Sequence, residues 1–112
     1  MFKKHDKLLS IKELRHAAIG LLARREYSAH ELTEKFVPRA EDPDGWPDVL
    51  QRLQDDGLQS DERFCESFLR SRLYKPYGPV RIKQELRLKG VDNLIMQQCF
   101  DEQSPDWRAL AI

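Results

Sequence analysis

The pattern Ser-x-x-Glu occurs twice early in the sequence, at Ser10–Glu13 and at Ser28–Glu31. In such a capping box the serine hydroxyl accepts a hydrogen bond from the third helical amide, and the glutamate accepts one from the serine amide. The first box predicts a helix that runs to about Tyr27. The second predicts a short helix that ends by Val37, because the proline that follows disfavours helical geometry at the residue before it.

Similar signals divide the rest of the chain into helices. A third helix is predicted over about 46–56, where a glycine follows, and a fourth begins after Ser60. A fifth lies between Gly78 and Gly90, with a proline at its first helical position, and a sixth begins after Asp92. Alternating apolar runs and Asn-Gly turns are absent from the sequence, so it predicts an all-α fold.

Apolar residues recur at helical spacing within each of these segments, which predicts the face that each helix buries. The large side chains at these positions are expected to form the interior. They are Trp46, Phe64, Phe68, Ile82, Leu86 and Ile95.

The apolar register also repeats along the chain. A shift of 47 residues places Ala18 on Cys65, and a shift of 50 residues places Leu32 on Ile82. A shift of 46 residues relates the third helix to the sixth in the same way. Self-similarity at such a period is typical of repeat architectures, so the sequence predicts two tandem three-helix units.

The repeat divides the chain into a tail over 1–9, unit one over 10–58 and unit two over 59–103. Residues 104–112 then resemble the start of another first helix, with Trp107 and Leu110 at apolar positions. This pattern breaks off, which favours a third unit that is incomplete. The alternative is a short C-terminal helix that packs on unit two.

Charge is arranged in blocks, although the formal net charge is zero. Residues 70–90 carry seven Lys or Arg and one Glu, whereas residues 38–62 carry two Lys or Arg and eight acids. Such asymmetry favours an anionic partner. The alternative is a set of solvated helix faces of alternating sign.

The sequence contains no long apolar run, which excludes a membrane-spanning helix and a secretory leader within it. We therefore expect a soluble protein of the cytoplasm. Cys65 and Cys99 lie far apart among apolar residues and form no Cys-x-x-Cys pair. In a reducing compartment they are expected to be small buried hydrophobic residues, not disulfide partners or metal ligands.

Patterns typical of catalysis or cofactor binding are weak. Glu13 and His16 have the E-x-x-H spacing of di-iron bundles, but such a site needs a second copy and two further inward carboxylates. A Gly-Lys-Ser/Thr phosphate loop is absent from the sequence. We therefore expect no cofactor, no metal ion and no small-molecule substrate.

Five short motifs carry a family resemblance: Asp61–Phe64, Tyr77–Ile82, Glu85-Leu86, Lys89–Val91 and Asp106-Trp107. Together with the tandem helices, they resemble the bacterial RecX regulatory family. The resemblance implies a cytoplasmic regulator of recombination, DNA repair and the SOS response that is not an enzyme. It also implies binding to the RecA recombinase and its filament on single-stranded DNA, which limits filament growth and ATP-dependent strand exchange. Family members generally carry a third complete unit.

The basic block is the candidate binding surface. Lys83 and Arg87 have no acidic residue three or four positions away, whereas Glu85 has a cation four positions away on each side. Together with Arg70, Arg72 and Lys75 of the preceding helix, they are expected to form a region of unpaired positive charge, which an anionic partner explains better than stability does. The predicted partner-binding residues are Arg70, Arg72, Lys75, Arg81, Lys83, Arg87 and Lys89.

A second hypothesis is a helical DNA-binding domain that acts without recombinase. In that case the helix over 79–89 would enter the major groove, as in helix-turn-helix proteins. This helix contains Gln84 as its single side-chain amide for reading adenine and has no Asn, which disfavours the hypothesis.

Overall fold

The structure, a computed structural model, describes residues 7–72 and 78–111, with side chains described as far as Glu102. The described residues contain six α-helices, two 3₁₀ turns at Val37–Arg39 and Pro43–Gly45, and no strand. A single bridge pairs Leu9 with Ala40. The all-α prediction is confirmed. The helices are α1 (Ile11–Leu22), α2 (Ala29–Phe36), α3 (Trp46–Asp55), α4 (Asp61–Arg72), α5 (Pro79–Leu88) and α6 (Asn93–Ala111).

The chain forms two compact units, Met1–Ser60 and Asp61–Ile112. The first contains α1 to α3 and the second contains α4 to α6, each with its own hydrophobic core. None of the described helices is both long enough and apolar enough to cross a membrane. The finer division into a tail, residues 10–58, residues 59–103 and the start of a third unit stays a prediction.

Both predicted capping boxes are present in unit one. The Ser10 amide donates to Glu13 Oε1 at 2.9 Å, and the Glu13 amide donates to Ser10 Oγ at 3.2 Å. The corresponding distances between Ser28 and Glu31 are 3.0 Å and 3.1 Å. Hydrogen bonds from the amide and the hydroxyl of Ser10 also lower the pKa of Glu13. Local sequence therefore sets both helix starts.

The first helix ends at Leu22, so its predicted extension to Tyr27 is wrong. The Arg25 guanidinium carbon lies 3.6 Å from the centroid of the Tyr27 ring, and Arg25 Nη1 donates to the Glu26 carbonyl at 2.7 Å. Ser28 then has the extended backbone of an N-cap residue. These contacts stabilise a non-helical connection where the sequence pattern alone favoured more helix.

The core of unit one is centred on Trp46, which is 1% exposed. Its ring centroid lies 5.4 Å from that of Phe36, and its Nε1 donates to Thr33 Oγ1 at 2.8 Å, so its polar atom is satisfied inside the core. The buried residues of this core are Leu14, Ala18, Leu32, Phe36, Ala40, Trp46, Val49 and Leu53.

The core of unit two joins all three of its helices. Of the predicted interior residues, Phe64, Ile82 and Leu86 are buried, whereas Phe68 and Ile95 are half-buried and pack against the core from its edge. The buried residues are Phe64, Cys65, Leu69, Ile82, Leu86, Val91, Met96, Cys99 and Phe100.

The repeat register agrees with burial in the two units. Ala18 and Cys65 are both completely buried, and so are Leu32 and Ile82. These aligned pairs therefore have the same role in each core, whereas Val49 is buried and Ile95, which the 46-residue shift aligns with it, is half-buried. This agreement supports the tandem three-helix organisation.

The predicted separate helix at Ser104 is not observed, because the backbone of α6 continues from Asn93 to Ala111. A proline disfavours helical geometry at the residue before it but does not forbid it, and it removes a single backbone hydrogen bond. The helical run from Asn93 therefore passes through this stop signal. The side chains of Trp107 and Leu110 lie outside the described residues.

We expect Ser28→Ala to lower the free energy of unfolding by about 1 kcal/mol, because it removes the N-cap acceptor of α2 in a buried position. Urea denaturation followed by circular dichroism measures the change. Ser71→Ala is the control, since this exposed hydroxyl bonds the Phe68 carbonyl of its own helix and alanine favours the helix. Equal losses in the two variants would contradict the capping account.

Candidate partner-binding surface on the second unit

The predicted binding residues differ in their surroundings. Lys75 lies outside the described residues. Of the other six, five lie on α4 or α5, and Lys89 is the C-cap residue of α5. Arg70, Arg81 and Arg87 are exposed, whereas Arg72, Lys83 and Lys89 are half-buried.

Arg72 is held within unit two. Its Nε lies 3.4 Å from Glu85 Oε1, and its guanidinium carbon lies 4.2 Å from the centroid of the Phe68 ring. The side chain is 24% exposed. The prediction that Arg72 is unpaired is therefore wrong, because the packing of α4 beside α5 brings Glu85 to it from a distant point in the sequence.

The equivalent arginine of unit one has a similar environment. The 47-residue shift aligns Arg25 with Arg72. Arg25 stacks on Tyr27, and its Nη2 lies 3.5 Å from Glu31 Oε2. In both units an arginine near the C-terminal end of the first helix, Arg25 just after α1 and Arg72 at the last residue of α4, thus combines an aromatic contact with an ion pair to the second helix. We interpret Arg72 as a residue that stabilises the packing of α4 against α5.

Lys83 and Arg87 lie together on the edge of α5 that faces α6. Lys83 Nζ is 5.0 Å from the centroid of the Phe100 ring, and Arg87 Nε donates to Asn93 Oδ1 at a long distance of 3.5 Å. Among the described side chains, neither cation has a carboxylate at ion-pair distance. The prediction that these two residues carry unneutralised charge agrees with the structure.

These two cations line a groove of about 390 Å³ between α5 and α6, which we call the α5–α6 groove. It combines two positive charges with one carboxylate, so the site is net positive, and two of its lining residues belong to the core of unit two. An anionic group would meet both cations there. The lining residues are Lys83, Arg87, Asn93, Met96, Gln97, Phe100 and Asp101.

The predicted binding residues do not form one continuous surface. Arg81 precedes Lys83 by two residues and therefore lies about 160° away around the helix axis. Lys83 and Arg87 share the α5–α6 groove, whereas Arg72 belongs to the contact with Glu85. Counting charges along the sequence locates the basic block, but it does not show which of its cations lie on the same surface.

A further surface of α5 was missed by the analysis of charge. Val80 is 71% exposed and Leu88 is 79% exposed, and Gln84 lies between them on the same side of the helix. Arg81 and Arg87 border this side, which we call the outer face of α5. The signal was present in the sequence, because Val80 and Leu88 are apolar yet fall outside the stripe of buried residues.

Side chains that commonly bind metal ions are not grouped in the described part of the chain. No group of three or more His, Cys, Asp or Glu residues there could hold a metal ion. Cys65 and Cys99 are both free and buried, and their thiols are hydrogen-bonded to each other. This hydrogen bond and burial raise the pKa of Cys65. The structure thus confirms the prediction that both cysteines are buried.

We expect both thiols of the native protein to react slowly with iodoacetamide at pH 7 and at pH 9. Burial limits the access of the reagent to both thiols, since Cys65 and Cys99 are 0% and 5% exposed. The hydrogen bond between them raises the pKa of Cys65 and lowers that of Cys99, so we expect Cys99 to be the faster of two slow thiols. Mass spectrometry of alkylated protein, with a urea-unfolded sample as control, measures the rates. Rapid native labelling of either cysteine would show that unit two opens easily.

Comparisons with known proteins agree with this architecture. Residues 60–99 match the family model described as RecX, second three-helix domain. A regulatory protein RecX of Chromohalobacter salexigens is 43% identical over 97 residues, which cover 87% of this chain and 64% of that protein. A regulatory protein RecX of Halorhodospira halophila is 43% identical over 98 residues, which cover 88% of this chain and 61% of that protein.

A crystal structure of RecX from Lactobacillus salivarius has the same fold. The TM-score is 0.75 at 24% sequence identity, and the match covers 83% of this chain and 61% of that chain. This chain spans about three fifths of the length of the two bacterial relatives above. Over most of its length the chain is similar to regulatory proteins of the RecX family, and residues 60–99 match the second three-helix domain of that family.

Proposed function

We propose that this protein binds the RecA recombinase and its filament on single-stranded DNA and inhibits filament extension, ATP hydrolysis and strand exchange. It would thereby modulate recombination and DNA repair in the cytoplasm as a regulator, not as an enzyme. The similarity to this family supports the regulatory role, since the relatives are named regulatory proteins. The partner is the one that the family resemblance implies.

One observation carries the choice of surface: Lys83 and Arg87 point into the same net positive groove. Two cations without a described carboxylate partner repel each other, and folding gains little from placing them together. A phosphate or carboxylate of the partner would relieve this repulsion and gain charge-assisted hydrogen bonds. The α5–α6 groove is therefore the proposed contact for the filament.

Inhibition would follow from occupancy. A protein that sits where the next recombinase subunit must add stops extension, and subunits that dissociate are then not replaced. Filaments should shorten, and ATP hydrolysis should fall in proportion to the assembled recombinase. The hydrolysis chemistry belongs to the recombinase throughout, because the regulator acts by binding alone.

Titration of the 112-residue protein into recombinase assembled on single-stranded DNA tests the proposal. ATP hydrolysis and filament length, followed together, should both decrease with a shared concentration dependence. If neither quantity changes while the regulator remains folded, the proposed function is wrong for this chain.

We expect the double variant Lys83→Glu, Arg87→Glu to bind the filament at least about tenfold more weakly than the parent, since desolvated charge pairs contribute strongly to binding. The parent's affinity should fall steeply with salt, and the variant should lose part of that slope. Binding is measured by fluorescence anisotropy at two fixed salt concentrations. Lys35→Glu, Arg52→Glu is the matched control, with the same change in net charge at exposed positions of unit one.

The groove variant also changes the contact between Lys83 and Phe100, which is worth about 0.5–1 kcal/mol. A small decrease in melting temperature is therefore expected, and Lys83→Gln with Arg87→Gln separates loss of charge from repulsion. Unchanged binding by both groove variants at both salt concentrations would contradict the proposed surface.

The hypothesis of a DNA-binding domain without recombinase predicts a different result. In that case the parent would bind duplex DNA with sequence preference, and recombinase alone would not bind it. A pull-down with recombinase in the absence of DNA, beside a duplex-binding measurement, distinguishes the two hypotheses.

A further inference from the structure

Unit one contains a groove that the proposed function does not use. Its volume is about 480 Å³, which lies within the range of about 300–1,000 Å³ that is usual for ligand pockets. Four of its lining residues come from α1, and the other two come from the chain segments that the bridge between Leu9 and Ala40 joins. We call it the α1 groove. The lining residues are Leu9, Lys12, Glu13, His16, Ala17 and Arg39.

Backbone hydrogen bonds hold the two segments of the α1 groove together. The Leu9 amide donates to the Arg39 carbonyl at 2.7 Å, and the Glu41 amide donates to the Leu9 carbonyl at 2.9 Å. The segment before α1 is thus paired with the segment that follows the first 3₁₀ turn. A groove whose backbone is fixed before binding loses little conformational entropy when a ligand enters it.

The repeat shows that the fold does not require a small side chain in the α1 groove. The 47-residue shift aligns Ala17 with Phe64, which is 4% exposed and belongs to the core of unit two. Ala17 is half-buried and lines the α1 groove instead. Unit one therefore has a methyl group at the register position where unit two has an aromatic ring. Stability alone does not explain this choice, because burial of a larger apolar side chain would contribute more.

The charge of the α1 groove is net positive. Lys12 and Arg39 are exposed, and neither has a carboxylate at ion-pair distance among the described side chains. Glu13 is the single carboxylate of the lining, and it already accepts a hydrogen bond from the Ser10 amide at 2.9 Å. Hydrogen bonds from Ser10 and the charge of Lys7 lower the pKa of Glu13, so its charge is compensated locally. The two cations of the groove are left for an external anion.

An acidic peptide fits this chemistry better than a nucleic acid does. The half-buried side chains of Leu9 and Ala17 line the groove together with the two cations. An apolar side chain of a peptide would pack on them, and neighbouring carboxylates would form charge-assisted hydrogen bonds with Lys12 and Arg39. A nucleic acid carries a phosphate at each nucleotide, and its bases stack on aromatic rings, whereas no Phe, Tyr or Trp side chain lines this groove.

We propose that the α1 groove binds a short acidic peptide segment of a partner protein, in which carboxylates flank one apolar side chain. The apolar side chain packs on Leu9 and Ala17, and the carboxylates pair with Lys12 and Arg39. This site shares no residue with the α5–α6 groove. It does not depend on the identity of the partner, so it goes beyond the proposed function and does not rest on it.

Selection from random dodecapeptides displayed on phage tests the proposal with the full chain. The library is first depleted on the Lys12→Glu, Arg39→Glu variant, which removes peptides that bind elsewhere on the protein. The parent should then enrich peptides in which Asp or Glu residues flank a large apolar residue. A fluorescent synthetic peptide with the consensus sequence serves as the probe, and its affinity, measured by anisotropy, should fall as salt is added.

Two variants locate the peptide in the α1 groove. Lys12→Gln with Arg39→Gln should weaken its binding at least about tenfold, because both partners of the carboxylates lose their charge. Ala17→Phe places in unit one the side chain that unit two has at this position, and it should weaken binding similarly by filling the groove. Lys35→Gln with Arg52→Gln is the matched control at exposed positions of unit one, and it should bind as the parent does. Circular dichroism checks the helical content of all three.

The glutamine pair decides the test even if Ala17→Phe does not fold, since exposed substitutions have little effect on stability. The proposal is wrong if no acidic peptide is enriched, or if the consensus peptide binds the parent and the glutamine pair equally. A single-stranded oligonucleotide that displaces the peptide from the parent, and binds the glutamine pair more weakly, would assign the groove to nucleic acid instead. None of these outcomes changes the titration of ATP hydrolysis and filament length, so the proposed function is tested separately.

Discussion

The structure depends on the burial of short amphipathic helices in two small cores. The longest helix of unit one, α1, has 12 residues, and α2 has eight. Helices of this length are marginal in water by themselves, so packing and capping must stabilise them. Side chains such as Leu32 and Ile82, both completely buried, therefore hold their helices in place. The candidate binding surface lies on the sides of these helices that do not face a core.

The fifth helix illustrates how one short element serves several purposes. Its inner side is fixed by Ile82 and Leu86 in the core. One edge is joined to α4 through Glu85, and the other edge presents Lys83 to the α5–α6 groove. The outer face remains, with Leu88 and its neighbours in solvent. A helix that is fixed on its inner side and at one edge presents its other side chains in a defined geometry, which reduces the entropy lost on binding.

The sequence predicted those features that local interactions determine. The boxes at Ser10 and Ser28 set helix starts through contacts three residues apart, so they can be recognised without a structure. The buried stripes follow from helical spacing, and the repeat followed from comparing them. The end of α1 could not be predicted, since it depends on how Arg25 stacks on Tyr27.

The candidate site was only partly predictable for the same reason. A list of cations follows directly from the sequence, but their partners depend on tertiary packing. The pairing of Arg72 with Glu85 and the contact of Lys83 with Phe100 both join different helices. The sequence contains no local signal for either contact. The ion pair assigns Arg72 to the packing of α4 against α5, whereas Lys83 lies at the α5–α6 groove without a described carboxylate at ion-pair distance.

The central claim is that the partner covers the α5–α6 groove of unit two. Lysine acetylation with mass spectrometry tests it directly, because lysine side chains are acetylated in proportion to their accessibility. When recombinase filament is added, acetylation of Lys83 in the groove should fall severalfold, while acetylation of Lys35 in unit one should not change. Unaltered acetylation of Lys83 under saturating filament, with protection elsewhere on the chain, would contradict the account.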